Sequence, residues 1–399
     1  MLDEFNVLDA VIVGAGPAGC AAAYDLAHAG RSVLLLDTRT FPRPKACACG
    51  LTRKTLKALR YSVEPVIEHV CNQIVLQNGS ELRVHARAPI CATAVRERFD
   101  AFCLQQTLAA GAQLRKIDRI AGLRETGSGV ELDITTPDGT EMLRAAVLIG
   151  ADGSNGQTRL LAETLGGPSM TTASPSAWVG SNATWYTRRF ALEACVPYAD
   201  LPAKLPSGGD AHDLIFDFSP LPSGYGWLFP KGDHINIGVG VFAPEADEAQ
   251  LKSVTRELLN NYAARRLGVA TLTYMTGQHL GMGGHAYVPR GRVLLTGDAA
   301  GLCDPLTGEG IHSAIISGRA AAAAVLSPKP NLAVAYGKQL RPLQQTLAFS
   351  HCAARAFYAE PERGFRAMRM PLLRSLILKT YADGLPGTRM IAAMARLVA

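Results

Sequence analysis

The start of the chain alternates apolar and small-residue segments in the order of a β-α-β unit. The apolar run from Asp9 to Val13 predicts a buried strand, and the small residues from Ala18 to Ala29 predict a helix. Gly30 is expected to end that helix, and a second apolar run, Ser32 to Leu36, predicts the next strand. Strands that alternate with helices in this way indicate an α/β sheet.

The middle of the chain follows a different pattern, in which short alternating segments are separated by turn signals. Gln77–Ser80 and Thr136–Gly139 contain the Asn-Gly and Asp-Gly pairs that favour hairpins. The region from Ala177 to Phe242 has the pattern of an antiparallel sheet. Its candidate strands are Ala177 to Tyr186, Asp213 to Phe218, Gly226 to Pro230 and His234 to Val241. Helices are expected from Phe99 to Ala110 and from Ile311 to Leu326.

The turn between the first strand and the first helix, Gly14–Gly19, is a candidate dinucleotide site. Gly14 permits the tight turn, Gly16 lets backbone N–H groups approach a pyrophosphate, and Gly19 brings helix and strand together. The helix N-terminus adds unpaired N–H groups and a partial positive charge. Asp37 ends the second strand, where an acid accepts hydrogen bonds from ribose hydroxyls.

Composition and charge narrow the class of protein. The chain has 399 residues, of which 48% are hydrophobic, enough for two domains around a substantial core. It has no apolar run of 18 residues, so no transmembrane helix is expected, and its acidic start does not resemble a secretory signal. Nine irregularly spaced cysteines favour reduced thiols in a cytoplasmic protein. The net charge of +6 suits anionic ligands, but no Lys/Arg block predicts nucleic-acid binding, and no metal site is expected.

Two later segments also have the pattern of nucleotide-binding loops. An apolar strand runs into Ala151–Gly153, and another is expected to deliver Asp298 to the carboxyl edge of the sheet. The N–H groups of Gly308–Ile311 would suit the electron-rich edge of a ligand. A plain β-turn is an equally good interpretation of Asp152, whereas few turns need as many small residues as Gly297–Gly310 contain.

Together, these three segments resemble the flavoprotein monooxygenase and reductase superfamily typified by para-hydroxybenzoate hydroxylase. The flavin arginine of that superfamily, in a pattern of Arg, two residues, Phe and Asp, matches Arg96, with Arg98 as the less favoured choice. The resemblance implies that FAD is the dinucleotide and that Asp298 lies near its ribityl chain. The FAD contacts predicted in this way are Gly14, Gly16, Ala18, Gly19, Asp37, Lys45, Arg96, Asp152, Asp298, Gly308, Gly310 and Ile311.

The same resemblance implies a discontinuous domain organisation. We expect an α/β fold (α+β overall) in which a Rossmann-like FAD-binding domain comprises residues 1–62, 90–168 and 286–327. An inserted antiparallel-sheet substrate domain would comprise residues 63–89 and 169–285, and residues 328–399 would form a helical C-terminal region.

The segment Pro222–Pro230 is informative about the class of substrate. Tyr225, Trp227 and Phe229 alternate along a predicted strand, so their rings should project from one face. On pattern alone a sheet core is the better explanation of these three rings. The spacing nevertheless resembles the signature of the geranylgeranyl reductase family, as do Asn236–Gly240, Asp304–Gly310 and Pro42–Leu51.

This second resemblance implies an enzyme that reduces isolated C=C bonds of prenyl chains. Reduced FAD would donate a hydride to one alkene carbon while a proton reaches the other. NAD(P)H or a reduced electron carrier would be the external reductant, and the substrate would be hydrophobic, such as a lipid, free or tethered to a carrier. Cys47 keeps the family's cysteine position, whereas Ala48 and Cys49 replace two family glycines. The resemblance implies Cys47, Tyr225 and Trp227 as catalytic residues, and Tyr225, Trp227, Phe229 and Cys49 as substrate contacts.

Three alternatives stay open at the level of sequence. A flavin-dependent monooxygenase shares every FAD motif, and the altered Ala48 and Cys49 weaken the reductase resemblance. A halogenase is a weaker alternative, since Trp227–Pro230 lacks the second tryptophan of the halogenase motif. A non-catalytic flavoprotein is the third. No histidine or carboxylate is singled out as the acid.

The C-terminal region bears on location. From His351 to Ala399 the chain has eight Lys/Arg and three Asp/Glu, with large apolar residues between them. Such helices usually pack on the protein and expose their charges, but a basic amphipathic stretch also binds anionic membrane surfaces. We therefore expect a cytoplasmic protein, with possible peripheral membrane contact on the cytoplasmic face through this region.

Overall fold

The computed structural model describes residues 7–165, 185–221, 224–241 and 248–385. The chain divides into two compact units. The first comprises residues 1–43, 100–188 and 281–348, and the second comprises residues 44–99, 189–280 and 349–399.

The described residues form strands and helices throughout both units. The strands are β1 (Leu8–Val13), β2 (Val33–Asp37), β3 (Gly50–Thr52), β4 (Ile67–Cys71), β5 (Gln73–Gln77), β6 (Glu81–His85), β7 (Cys91–Ala94), β8 (Gln113–Lys116), β9 (Arg119–Glu125), β10 (Val130–Thr136), β11 (Gly139–Gly150), β12 (Thr187–Pro197), β13 (Leu214–Asp217), β14 (Gly224–Pro230), β15 (His234–Val241), β16 (Thr276–Met282) and β17 (Val293–Leu295). The helices are α1 (Pro17–His28), α2 (Arg53–Ala58), α3 (Arg96–Ala109), α4 (Thr158–Thr164), α5 (Glu248–Leu267), α6 (Ile311–Val325), α7 (Leu332–Ala359), α8 (Pro361–Met368) and α9 (Pro371–Asp383).

The first unit is built on a mixed sheet in the order β8-β2-β1-β11-β10-β9, with β17 also paired to β11. β1 pairs in parallel with β2 and β11, whereas β9, β10 and β11 form an antiparallel meander. Every residue of β2 is buried, as expected for a parallel strand covered on both faces. Helix α1 links β1 to β2 and packs against α6. The Rossmann-like β-α-β unit predicted from the sequence is therefore present.

The second unit contains a larger sheet in the order β16-β12-β15-β14-β13-β5-β6 and a small sheet of β3, β7 and β4. Strands β12, β15, β14 and β13 are antiparallel neighbours. One face of this sheet packs against α5 in a hydrophobic cluster that includes Leu192, Ile237, Leu228 and Tyr262. Along β14, the aromatic residues Tyr225, Trp227 and Phe229 alternate with Gly226 and Leu228. Since Leu228 faces α5, the three aromatic side chains lie on the sheet face opposite α5.

The predictions of β13, β14 and β15 are confirmed, whereas β12 was not predicted. Residues 177–184 of the predicted strand Ala177 to Tyr186 lie outside the described residues. β15 pairs with β14 on one side and with β12, Thr187–Pro197, on the other, and β12 was not predicted from the sequence. Both predicted hairpins are present, between β5 and β6 and between β10 and β11.

The domain boundaries inferred from the sequence stay a prediction, and the two compact units group some residues in another way. Residues 44–62 and 90–99 lie in the second unit, although the sequence analysis assigned them to the FAD-binding domain. The C-terminal helices do not form a third unit, because residues 328–348 belong to the first unit and residues 349–399 to the second. None of the helices in the described ranges is both long and apolar enough to cross a membrane.

Candidate active site

The glycine turn of the first unit has the geometry of a nucleotide-binding loop. Gly14 adopts φ +99°, and a Cβ there would lie 2.4 Å from the carbonyl oxygen of Ala151. Helix α1 begins at Pro17, immediately after this turn. A Cβ on Gly16 would have only the Arg43 guanidinium within 4 Å, at 3.6 Å. The space beside Gly16 therefore fits a phosphate that approaches the backbone at the N-terminus of a helix.

The Asp37 carboxylate is held beside the same turn. Its Oδ2 accepts the N–H of Ala15 at 2.8 Å, and its Oδ1 accepts the N–H of Arg39 at 2.8 Å. Asp37 is buried at the carboxyl end of β2. Each carboxylate oxygen accepts more than one hydrogen bond, so these contacts orient the group without excluding ribose hydroxyls.

Arg43 is a candidate phosphate contact that the sequence analysis did not select. Its guanidinium lies 3.4 Å from the buried carboxylate of Asp100 and 4.7 Å from the ring centroid of Phe41. These contacts fix the arginine beside Gly16, and a fixed guanidinium suits a diphosphate. The sequence signal for this contact was the position of Arg43 shortly after Asp37, the acidic residue that ends β2.

Asp298 and the N-terminus of α6 lie together, as their assignment to one site requires. A Cβ on Gly310 would lie 3.3 Å from Asp298 Oδ1, and Ile311 is the first residue of α6. Gly308 adopts φ +68° in the loop before the helix, where its N–H bonds the Asp304 carbonyl at 2.9 Å. The helix N-terminus places partial positive charge beside this loop. Ala18 packs nearby, since a Cβ on Gly297 would lie 3.4 Å from its methyl group.

Asp152 has a well-defined structural partner. Its Oδ2 accepts the N–H of Thr158 at 2.9 Å, and its Oδ1 bonds the Thr158 hydroxyl. Burial raises the pKa of this carboxyl, and the bonds from Thr158 oppose that shift. These contacts stabilise the turn before α4, which is the role that a plain turn would give Asp152. A contact with FAD remains a prediction for this residue.

The second unit carries the aromatic residues on one buried face. Tyr225 and Trp227 have ring centroids 6.0 Å apart, and Phe216 on β13 lies between Tyr225 and Phe229, at 5.6 and 5.4 Å. The C-terminal helices add to this group, because Tyr381 lies 6.1 Å from Phe216. The result is a continuous aromatic surface, which we call the aromatic face.

Trp227 is anchored within this face. A Cβ on Gly238, its neighbour on β15, would lie 2.1 Å from Trp227 Cζ2, so only glycine leaves room for the indole there. The indole N–H donates to Asn236 Oδ1 at 2.8 Å. The side chain of Asn236 in turn hydrogen bonds the carboxyl group of Glu193.

The segment Pro44–Cys49, which we call the cysteine loop, is hydrogen bonded to residues of the same unit. The N–H of Cys47 donates to Glu193 Oε1 at 2.7 Å, and the buried Lys231 donates to the carbonyl of Ala48 at 2.6 Å. Phe229 packs against Gly50, whose Cβ would lie 2.7 Å from the ring. Cys47 is thus linked to Trp227 through Glu193 and Asn236, and Phe229 contacts the residue that follows the loop, all within one unit.

Cys49 has an unusual backbone conformation for its residue type. It adopts φ +47°, which favours glycine, and its N–H lies 3.3 Å from Cys47 Sγ. The side chain is buried, and the cysteines in the described part of the chain are free thiols. This positive φ explains why glycine suits the family position that Cys49 occupies here.

Lys45 and Arg96, the other predicted FAD contacts, lie in the second unit. Lys45 is half-buried in the cysteine loop. Arg96 is buried at the start of α3, and its charge lowers the pKa of Glu193. Their assignment to FAD remains a prediction.

Glu193 is the polar residue of the second unit that the sequence analysis missed. It is 8% exposed, and burial raises its pKa from 4.5 to about 7, against the lowering effects of Cys47 N–H, Asn236, Lys231 and Arg96. The sequence contained a signal for this residue, because apolar side chains occupy every second position of β12. Glu193 stands between them and therefore lies on the other face of the strand. The apolar residues are Phe190, Leu192, Ala194 and Val196.

Comparisons with known proteins agree with this architecture. A model of FAD-binding domains matches residues 7–199, and a model of the geranylgeranyl reductase catalytic domain matches residues 193–278. The chain is 30% identical over 334 residues to a menaquinone reductase of Mycobacterium tuberculosis, covering 79% of this chain and 75% of the relative. It is 28% identical over 327 residues to digeranylgeranylglycerophospholipid reductase 2 of Methanopyrus kandleri, covering 78% and 75%.

A solved structure shares the fold. A geranylgeranyl bacteriochlorophyll reductase-like protein from Thermoplasma acidophilum superposes with a TM-score of 0.70 at 20% identity, covering 89% of this chain and 88% of that one. The nucleotide loop, the fold and these matches define the class, which is an FAD-dependent oxidoreductase. Within that class, the chain belongs to the geranylgeranyl reductase family.

Proposed function

We propose that the enzyme reduces isolated C=C bonds in the prenyl chain of a hydrophobic, lipid-type substrate. The single observation that carries this proposal is the aromatic face, because its rings lie opposite the α5-packed core and are linked to the cysteine loop. The relatives named above as reductases of a digeranylgeranyl phospholipid and of menaquinone support a prenyl substrate.

The residues of the first unit would hold the cofactor. The Gly16 backbone and Arg43 would bind the diphosphate, Asp37 the ribose, and Asp298 with the α6 N-terminus the flavin portion. FAD, when bound and reduced, supplies the hydride. Since a helix N-terminus favours negative charge, the α6 end would stabilise the reduced form.

The residues of the second unit would bind and orient the prenyl chain. An apolar chain gains about 0.8 kcal/mol for each CH₂ group it buries and needs no polar partner. Tyr225, Trp227 and Phe229 offer such a surface and exclude water from it. The thiol hydrogen of Cys47, at Sγ, would be the proton delivered to the second alkene carbon. The cysteine loop positions this thiol through its bonds to Glu193 and Lys231.

The substrate and electron source place two further demands on the protein. We infer that an external donor, NAD(P)H or a reduced carrier protein, supplies the electrons. We also infer that α8 and α9 contact an anionic membrane from which a lipid enters. Met370 and Leu372 are 61% and 66% exposed there, beside the exposed Arg366, Arg369 and Lys379.

Product analysis tests the reaction. Purified holoenzyme with a reductant and a geranylgeranyl lipid, without oxygen, should yield a product that gains two hydrogen atoms per reduced bond. Replacing Trp227 by Ala should retain bound FAD and lower this yield at least about tenfold, because the aromatic contact is lost. A product that instead gains an oxygen atom, formed only in air, would identify a monooxygenase and reject the proposal.

A further inference from the structure

A buried carboxyl group lies at the centre of the polar contacts in the second unit. Glu193 stands on β12 directly opposite Gly238 of β15, which stands opposite Trp227 of β14. Because Gly238 has no side chain, the Trp227 indole occupies the space above it. The register of three strands therefore brings a glutamate and a tryptophan to one place on the aromatic face.

Hydrogen bonds connect this carboxyl group to Cys47 and Trp227, two of the three residues for which catalysis is predicted. The Trp227 indole N–H donates to Asn236 Oδ1, and the Asn236 side chain bonds Glu193. On its other side, Glu193 Oε1 accepts the backbone N–H of Cys47 at 2.7 Å. A chain of hydrogen bonds thus runs from Trp227 to Cys47, and Glu193 is its only ionisable member between the two.

The charged and titratable groups around Glu193 come from several elements. Lys231 in the β14–β15 turn and Arg96 at the start of α3 favour its ionised form, whereas burial opposes it more strongly. Cys195 on the same strand is the neighbouring thiol, and its own pKa is raised by burial and by Glu193. The balance raises the pKa of Glu193 to about 7. Both charge states are therefore populated near neutral pH.

We propose that Glu193 is the positioning residue of the active site, which fixes the Cys47 thiol and the Trp227 indole relative to each other and sets the negative charge beside that thiol. This inference deepens the proposed function and rests on it for the catalytic purpose of Cys47. Covalent geometry places Cys47 Sγ within about 7 Å of Glu193 Oε1, since the bonded nitrogen is 2.7 Å away. At that distance a carboxylate disfavours a second negative charge on sulfur.

The test compares the alkylation rate of Cys47 in wild type and Glu193→Gln. The thiolate is the reactive form, so a carboxylate beside it slows the reaction. Glutamine keeps an oxygen that accepts the Cys47 N–H but never ionises. In the holoenzyme treated with iodoacetamide, and with the Cys47 peptide quantified by mass spectrometry, the two rates should agree near pH 6. The variant should react about fivefold faster or more near pH 8.5, with the change centred near pH 7.

Asp213→Asn is the matched control. Asp213 is also a buried carboxylate of the second unit, but it bonds Gln73 and Arg83 rather than the cysteine loop. Its rate ratio to wild type should stay constant across the same pH range. A constant ratio for Glu193→Gln as well would overturn the proposal.

Two further readouts test the positioning role of Glu193. If Glu193→Gln does not fold, the alkylation of wild type alone is the test. The rise of its logarithmic rate with pH should become less steep near pH 7, where Glu193 ionises. A rise with no change of slope near that pH contradicts the proposal. The alkylation needs no prenyl substrate, so its outcome is independent of turnover. A holoenzyme that shows the predicted profile but reduces no prenyl lipid would refute the proposed function and leave the positioning role intact.

Discussion

Among single residues, Gly16 is the position where a substitution should weaken FAD binding without disturbing folding. Its φ is ordinary and a Cβ would meet only the end of the Arg43 side chain, so Gly16→Ala should fold normally. The added methyl group would nevertheless occupy the space that a diphosphate needs beside the backbone. We expect the variant to bind FAD at least about tenfold more weakly, measured from flavin absorbance per chain during titration.

The control for that measurement is Gly127→Ala. Gly127 also has open space around its hypothetical Cβ, and it lies between β9 and β10, outside the nucleotide loop. This variant should bind FAD as wild type does. If Gly16→Ala also bound FAD at full strength, the assignment of the glycine turn to the diphosphate would be wrong.

Glu193 also predicts a pH dependence of stability. Its pKa is raised from 4.5 to about 7, so between those values the folded chain holds a proton that the unfolded chain has released. The stability contributed by this group is therefore present at low pH and is lost as pH rises through about 7. Glutamine has no such titration, and Glu193→Gln should gain up to about 3 kcal/mol relative to wild type between about pH 4.5 and 7.

Urea unfolding at several pH values measures this difference. The free energy of unfolding of the variant minus that of wild type should rise with pH and become level above about pH 7.5. A difference that stays constant, or falls as pH rises, would show that the carboxyl group is not held neutral by burial.

At the scale of elements, the contact between β14 and β15 determines where the aromatic face is formed. Gly238→Ala would bring a methyl group 2.1 Å from Trp227 Cζ2, so the indole must move away from Asn236. Overpacking of this kind costs about 1–3 kcal/mol of stability. We expect bound FAD to be retained and prenyl reduction to fall at least about tenfold in steady-state assays.

A loop glycine provides the comparison for that variant. Gly209→Ala has its nearest non-neighbouring atom at 3.9 Å and should leave both FAD content and turnover unchanged. Full turnover in Gly238→Ala would mean that the position of the Trp227 indole does not matter for the reaction.

The elements also explain what the sequence could and could not predict. Local alternation was enough for β14 and β15, where aromatic residues of β14 mark one face and aliphatic residues of β15 mark the other. The same alternation exists in Phe190, Leu192, Ala194 and Val196 of β12, but the predicted strand was placed upstream of it. The significance of Glu193 follows from its register with Gly238 and Trp227. That pairing joins residues far apart in sequence, and no local pattern specifies it.

At the scale of the whole molecule, the cysteine loop packs within the second compact unit. The resemblance to the flavoprotein superfamily implies that residues 44–62 belong to the FAD-binding domain. The structure groups them with the second unit, since Cys47, Ala48 and Gly50 contact Glu193, Lys231 and Phe229. The role of each unit in binding FAD or substrate stays a prediction.

The proposed membrane contact of α8 and α9 also belongs to the scale of the whole molecule. Phe365 and Met368 of α8 are buried, so removal of the C-terminal helices would disturb packing, and point substitutions are the better probe. Met370→Ser combined with Leu372→Ser should reduce flotation with anionic vesicles by more than about half, because exposed apolar side chains drive insertion. Val334→Ser, at a 64% exposed residue of α7, should float as wild type does. Equal flotation of all three proteins would contradict a docking role for α8 and α9.

The most direct measurement follows the oxidation state of the flavin without oxygen. Holoenzyme reduced with one equivalent of dithionite is mixed with a geranylgeranyl lipid, and the return of the oxidised flavin spectrum is recorded. Prenyl-chain reduction by the bound flavin predicts re-oxidation that matches the saturated product in amount, and that becomes at least about tenfold slower in Trp227→Ala. A flavin that stays reduced until air is admitted, in both proteins, would contradict it.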